Sequence, residues 1–323
     1  EIHRIEGWED YILYLLETQT HRIVITGSTA SLLKGDYASQ LRGKLFPLEL
    51  LPFSFKEFLR HYEINQEFIS SKGRSLLENY FQKYIKQGGF PGLLDIPPEI
   101  HEELLITYWD TMLLRDIIEA HPKAKINITV LRYFADSLIT KIACPMTTTK
   151  ISEAMKKLGF NFNIETLYKY LTYLSDAYMI RTVEFYSESP RVRARNYKKV
   201  YCIDWALAFA VSKGAGVDRT RAFENMIYIE LCRRGYKISY YKTRDGFEID
   251  FIVQDKSGSI EIYQVSYSLE KEDVLKRELR AIELSVDFLK AQKATIVTVY
   301  EEYILKGENI DILVIPAWKW LLE

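Results

Sequence analysis

The chain has 323 residues, which at roughly 100–200 residues per domain points to about two domains. Its 43 Lys+Arg and 44 Asp+Glu leave a net charge of −1, so no global field steers it to nucleic acid or to an anionic membrane. With 48% hydrophobic and 27% charged residues the composition excludes a disordered or fibrous chain. Three well-separated cysteines (Cys144, Cys202, Cys232) exclude a disulfide scaffold and a cysteine-based zinc site, and they point to a reducing, cytoplasmic compartment.

The chain opens on Glu1, with no initiator methionine and no signal peptide, which reads as a cut protein or a missing beginning. No segment approaches about 18 consecutive apolar residues, so no membrane span is predicted. From Trp8 to Leu16 the apolar residues recur at helical spacing. His21–Gly27, a β-branched run ending on glycine, predicts a buried strand, and Ser28–Lys34 a helix start. Leu45–Leu50 reads as a further strand weakened by Pro47. Ser54 is placed to cap a helix over Phe55–His61, and longer helical patterns follow at Ser75–Gln87 and Glu99–His121, separated by the breaker-rich loop Gly88–Gly92. Helices are predicted over Ile126–Ile142, over Lys150–Leu158 behind Met146–Thr149, and from Asn163 or Glu165 to Ala177, with an extended return at Met179–Ser187. Three helices and then a strand pair is the winged-helix order, a variant of the helix-turn-helix.

Arg191, Arg193, Arg195, Lys198 and Lys199 then put five positive charges into ten residues without an acid, which reads as a hinge or boundary. Beyond it the pattern predicts strands at Lys199–Ile203, Lys237–Lys242, Glu248–Gln254, Ser259–Ser266, Ala294–Val299 and Ile310–Ile315, with helices at Thr220–Arg233 and Lys271–Leu289. The five histidines form no HxH or HExxH, so no zinc site is expected, and the aromatic residues show no spacing that suggests a base-stacking platform.

An ordered series of motifs carries more information than any one of them. Glu1-Ile-His, Gly7-Trp-Glu9, Thr26-Gly-Ser28, Leu51-Pro-Phe-Ser-Phe-Lys-Glu-Phe58 and Gly88-Gly-Phe-Pro91 follow one another in that order. The series resembles the archaeal and bacterial group of AAA-type P-loop ATPases that carry a winged helix and a C-terminal nuclease-like domain. The resemblance implies an α/β multidomain chain: the C-terminal part of an AAA core over 1–60, a helical lid or linker over 61–125, a winged helix over 126–190 and a PD-(D/E)xK-like domain over 191–323. It implies that Glu1 is the Walker B glutamate and Ser28 the sensor, both acting on the water or γ-phosphate of Mg-bound ATP. The family's Gly-Arg position falls on Lys44, with Arg42 two residues earlier, so these two are the candidate nucleotide phosphate contacts. No GxxxxGK[ST] phosphate loop occurs in the sequence, so ATP turnover is expected of the full-length protein and not of this chain alone. A homo-oligomer assembled through the ATPase core is the implied quaternary form.

In the winged-helix segment Leu167, Leu171 and Leu174 share one face, leaving Lys169 against Glu165 and Asp176 on the remainder. That is a poor phosphate footprint and favours a structural spacer; DNA contact through Lys169 with Arg191, Arg193 and Arg195 is the other reading. In the last segment Glu224, Asp250 and Gln264 fall in an order that resembles the PD-(D/E)xK nuclease site. The Glu-x-Lys positions are filled by Gln264 and Ser266, an amide without charge and a hydroxyl without the lysine's positive charge. Strand parity sets Glu248 beside Asp250 and turns Glu261 away from Gln264. The expectation is a degenerate, binding or structural domain, with a weak metal site at Glu224, Asp250 and Gln264 or simple ion pairs to Arg221 or Lys242. A DNA-binding interaction module with a degenerate nuclease fold is the alternative to the ATPase reading.

Overall fold

The computed structural model describes residue 5 and residues 7–18, 22–28, 46–64, 70–213 and 217–323. Helix α1 (Trp8–Thr18) buries Trp8 and Ile12 against Ile23 and Ile25, a small cluster of its own. The alternation of residues 22–26 is thus that of an extended segment with Ile23 and Ile25 inward. The segment forms no strand, and Val24 is 85% exposed. The predicted buried strand therefore fails for lack of a ladder: β-branched composition favours extended backbone, but a strand forms only where a neighbour completes its hydrogen bonds, and none does so among the described residues. Residues 46–50 are likewise not a strand, with Phe46, Leu48 and Leu50 all exposed. Pro47 removes one donor from any ladder they could join.

Ser54 and Glu57 form a reciprocal capping box that starts α2 (Phe55–His61), satisfying two otherwise unpaired amides at once. Helices α3 (Ser71–Gln87) and α4 (His101–Met112) follow, the latter continued by a π-helical segment over Leu113–Glu119. Then come α5 (Ile128–Ile139), the two-residue strand β1 (Pro145–Met146), α6 (Thr148–Lys157), α7 (Ile164–Asp176) and β2 (Ile180–Phe185). Asn127 and Thr147 cap α5 and α6 through their side chains, whereas Asn163 stands at the start of α7 without such a bond.

The basic stretch is no open linker. It folds into α8 (Pro190–Arg195) and the first residues of β3 (Lys198–Cys202), and β3 pairs antiparallel with β2 from Ile180↔Cys202 to Val183↔Lys199. Helix α9 (Trp205–Ser212) is apolar almost all round and packs on α3, α4 and α5, as expected of a helix in the interior. The remaining elements are α10 (Arg219–Arg233), β4 (Lys237–Lys242), β5 (Glu248–Gln254), β6 (Ile260–Val265), α11 (Glu272–Leu289), β7 (Lys293–Thr298), β8 (Tyr303–Lys306), β9 (Asp311–Pro316) and α12 (Ala317–Trp320).

The described strands form one mixed sheet in the order β1-β3-β2-β4-β5-β6-β7-β9-β8. The join between its two parts is short: β2 meets β4 in parallel at Glu184↔Ser239 and Phe185↔Tyr240. One hydrophobic cluster runs from Phe55 through α9 and α10 to Leu321. A second fills the space between β5, β6, β7, β9 and α11, with Ile252, Ile262, Ile282 and Val314 at its centre. Both faces of the C-terminal strands are therefore covered, which is why they read as near-continuous apolar runs.

Candidate functional site

The β4–β5 turn closes on Gly246 at φ +91°, a left-handed conformation that glycine adopts without a Cβ penalty. From this turn β5 projects Glu248 and Asp250 at a spacing of two, toward one side of the strand. Facing β6 follows β5 in register from Gln254↔Ile260 to Phe251↔Tyr263, where the ladder stops. Past that point side chains take over its hydrogen bonds. Asp250 N–H donates to Gln264 Oε1 at 2.7 Å, and Val265 N–H donates to Asp250 Oδ2 at 3.0 Å. Gln264 Nε2 donates to the Glu248 carbonyl at 3.0 Å and also to the Glu278 carboxylate of α11.

Helix α10 brings Glu224 to the same place. Asp218 caps the helix by accepting from Arg221 N–H at 2.9 Å. Asn225, next to Glu224, is completely buried and uses both ends of its amide on Cys202: its Oδ1 accepts from the backbone N–H at 2.7 Å and its Nδ2 donates to the carbonyl at 2.9 Å. That pair pins α10 to the end of β3. On β3 itself, Lys199 and Tyr201 point toward Glu224, while Lys198 turns outward to Glu184 at 2.8 Å.

Lys199 is the centre of the constellation and is 0% exposed. Its Nζ lies 2.9 Å from Glu224 Oε1, 2.8 Å from Glu248 Oε1 and 3.3 Å from Asp250 Oδ1. The Tyr201 hydroxyl donates to the same Glu224 oxygen at 2.7 Å, and its ring stacks on Tyr228. Burial alone would pull the lysine's pKa down; the Glu224, Asp250 and Glu248 carboxylates reverse this and hold it well above its ordinary value. Glu224 pays for the crowding: burial, with the Asp250 charge added to it, pushes its carboxyl up to about 8 against the opposing pull of Lys199 and Tyr201. Asp250 and Glu278 are raised as well, first by burial.

Glu224, Glu248, Asp250, Gln264 and Glu278 line one side of a cleft of about 430 Å³ between α10 and α11, completed by Thr220, Phe247 and Arg277, while Lys199 and Tyr201 are fully buried and do not line it. Arg277 reaches the Glu278 carboxylate from the exposed surface. Ser266, in the position of the lysine in the resembled pattern, donates to the Ser268 carbonyl at 2.9 Å. The carboxylate set does not fit a hard divalent cation: the ammonium already takes one oxygen from each of the three acids, and the Gln264 amide is committed at both ends. Among the described residues no group of three or more His, Cys, Asp or Glu is arranged to hold a metal ion.

Glu224, Asp250 and Gln264 are thus brought together as their order suggests, and the ion partner that the two acids share is Lys199. Lys199, Glu278 and Tyr201 escape a reading based on motif order. Alternation on β3 is the signal that could have found the lysine, since it shares a face with Tyr201 two residues on, while its neighbour Lys198 takes the other face. Lys169 is exposed on α7, and Arg191 and Arg195 are exposed on α8, where Arg193 donates to the Ser187 carbonyl at 2.7 Å. Ser28 is exposed at the end of the 22–28 segment. Glu1, Arg42 and Lys44 lie outside the described residues.

Comparison with known proteins gives the chain three consecutive family matches. Residues 1–59 match an AAA domain, 78–218 a domain of unknown function (DUF8612) and 219–319 another (DUF4143). An uncharacterized protein of Methanocaldococcus jannaschii, MJ1544, is 31% identical over 336 aligned positions that cover 100% of this chain and 73% of that protein. An uncharacterized protein of Haemophilus influenzae is 29% identical over 269 positions, covering 83% of this chain and 65% of that protein. No solved structure matches the chain.

Proposed function

We propose, from the premise that the chain belongs to the same family as the M. jannaschii protein MJ1544, that it is part of an AAA-type ATPase that binds and hydrolyses ATP as the full-length protein. The AAA domain match over residues 1–59 carries this reading, since it takes in Glu1, Ser28 and the Leu51–Phe58 motif. When bound, Mg-ATP supplies the γ-phosphate as electrophile, its charge neutralised by the metal. In this reading the Glu1 carboxylate polarises the attacking water, the Ser28 hydroxyl holds that water or the phosphate, and Arg42 and Lys44 contact phosphate oxygens. The assembly is a cytoplasmic homo-oligomer built through the ATPase core.

The helices α5, α6 and α7 followed by β2 support a winged helix over 126–190, with the second strand of the wing pair, β3, lying beyond residue 190. The order α10-β4-β5-β6-α11-β7 supports a PD-(D/E)xK-like unit over 191–323, used without nuclease chemistry because Lys199 engages its acids. A second reading, a DNA-binding interaction module, is favoured by one observation: Lys169 on α7 and Arg191 and Arg195 on α8 are all exposed.

Two measurements separate these readings. Mg-dependent ATP hydrolysis by the full-length protein, abolished by Glu1→Gln, is the result expected of the first; absence of turnover by the full-length protein overturns it. For the second, fluorescence anisotropy with a DNA duplex should show affinity that falls steeply with salt and weakens on Arg191→Ala with Arg195→Ala. Salt-independent or absent binding removes that reading.

A further inference from the structure

An ammonium has three donors and no acceptor. In this protein the three donors of Lys199 meet three carboxylates, at 2.9 Å for Glu224, 2.8 Å for Glu248 and 3.3 Å for Asp250, with no exposure of the side chain to water. The match in number is complete, and it comes from three separate elements, α10, β5 and β3, which converge without any motif linking them. A lysine that drifted inward by accident would leave donors unpaired or force the acids apart. Instead Asn225 fixes α10 to the strand that carries the lysine, and Val265 and Gln264 fix Asp250 on the other side.

We infer that Lys199 is the resident cation of the acids that line this cleft, a tethered ammonium buried behind them and standing where three converging carboxylates would otherwise draw a divalent metal ion. The oxygens around Nζ are 2.8–3.3 Å away, and Ca²⁺ would need about 2.3–2.6 Å, so the acids would move inward by an ångström or less to ligate a cation. What prevents this is charge and space together. A second cation within about 4 Å of the ammonium is repelled, and the inward-facing oxygens already hold hydrogen bonds. The consequence is a cleft whose folding and whose binding are independent of metal, and whose acids become a divalent-cation site only when the lysine is removed.

The inference rests on the reading of the C-terminal unit as metal-free and is independent of ATP, so its test is carried out without nucleotide. Mn²⁺ is titrated into the full chain and followed by electron paramagnetic resonance and by thermal unfolding, for the wild type, Lys199→Met, and Lys199→Met with Asp250→Asn. The wild type should bind no Mn²⁺ up to 1 mM or so and show no shift in Tm. Lys199→Met should unfold at lower temperature, bind one Mn²⁺ at least tenfold more tightly than the wild type, and recover Tm as the ion is added. The added Asp250→Asn should remove that binding. Where Lys199→Met fails to fold, Lys199→Gln takes its place, and folding of either variant only in the presence of Mn²⁺ supports the inference. A wild-type protein that binds one Mn²⁺ and loses it on Asp250→Asn overturns the inference. So does a folded Lys199 variant that binds none.

Discussion

Lys199 Nζ and Tyr201 Oη converge on a single oxygen, Glu224 Oε1, at 2.9 and 2.7 Å, in a part of the protein closed to solvent. The two donors sit on one face of β3 because residues two apart in a strand share a side, and the acceptor comes from the adjoining helix. Removing one partner of a buried ion cluster costs more than the cluster contributes, since the remaining charges stay behind unpaired, and the usual loss is about 3–5 kcal/mol. Lys199→Met leaves three acids facing one another, and loss of the ammonium that opposes the rise in Glu224 and Asp250 lifts the folded-state pKa values of these two further above the unfolded ones. For acids raised in this way the stability is greatest at low pH and is lost as pH rises through the folded values. Urea unfolding at pH 7 should therefore show a deficit of about 3–5 kcal/mol for Lys199→Met that shrinks at pH 5. A deficit that does not change with pH counts against an electrostatic origin.

Asp204 organises a second buried site. Its Oδ1 accepts from Ala206 and Leu207 N–H at 2.8 and 3.0 Å to cap α9, while Oδ2 accepts from Gly89 N–H at 2.7 Å, tying the Gly88–Gly92 loop to the helix. Gly88 takes φ +83°, and a Cβ there would stand 2.5 Å from Asp204 Oδ1 and 2.8 Å from the Ala206 Cβ. Neither neighbour yields readily, because the carboxylate accepts three backbone hydrogen bonds and the Ala206 Cβ is fixed directly to the backbone of α9. Gly88→Ala should thus cost about 2–4 kcal/mol from conformational strain together with overpacking. Thermal unfolding checks it, and a Tm within 2 °C or so of the wild type would show that the loop adapts.

The same aspartate predicts a pH signature. Burial outweighs its three backbone hydrogen bonds and raises its pKa from 3.8 to about 6. A folded value above the unfolded one means stability that is fully present below pH 3.8 and is lost as pH rises through about 6, a total on the order of 3 kcal/mol. Asp204→Asn keeps an acceptor for the cap and cannot titrate, although its amide N–H₂ meets the Gly89 N–H donor. Measured across pH 4 to 7, the wild type's advantage over Asp204→Asn should fall with increasing pH. An advantage that is flat, or that grows, contradicts the assignment.

Much of this architecture is legible from residue order because its causes are local. Ser54 and Glu57 announce a capping box three residues apart, and the alternation of Glu248-Ile-Asp-Phe-Ile-Val-Gln254 marks a strand with the observed bounds. The order Glu224, Asp250, Gln264 also survives folding as one cluster. The failures have a common physical source in pairing at a distance. His21–Gly27 has strand composition, yet no ladder is completed around it among the described residues. Lys199 counts as one more charge in a basic run, but its side chain turns inward while Lys198 turns out to Glu184, and only the position of α10 explains why an inward lysine is stable.

Helix α10 carries the last prediction, because its two ends hold two different parts of the chain. Glu224 near one end joins the Lys199 cluster. At the other end Arg233 donates to the Pro52 carbonyl, lies 3.7 Å from Glu57 of the capping box and is held in place by Glu230 at 3.0 Å. Arg181 of β2 pairs with Glu49 a few residues before, so the Glu49–Glu57 segment is gripped twice by arginines from the sheet and from α10. Upstream of Leu51, which packs on the core, and of the buried Pro52, the side chains of Leu48 and Leu50 are exposed. Arg233→Ala removes a charged hydrogen bond to a backbone carbonyl, worth about 1.5–3 kcal/mol, without touching the apolar core around Phe55 and Phe58. Hydrogen exchange should accordingly speed up in residues 49–57 by about tenfold or more, while β5 and β6 keep their protection. Faster exchange throughout the sheet would mean that Arg233 supports the whole fold rather than the docking of this segment, and unchanged exchange in 49–57 would mean that the grip contributes nothing.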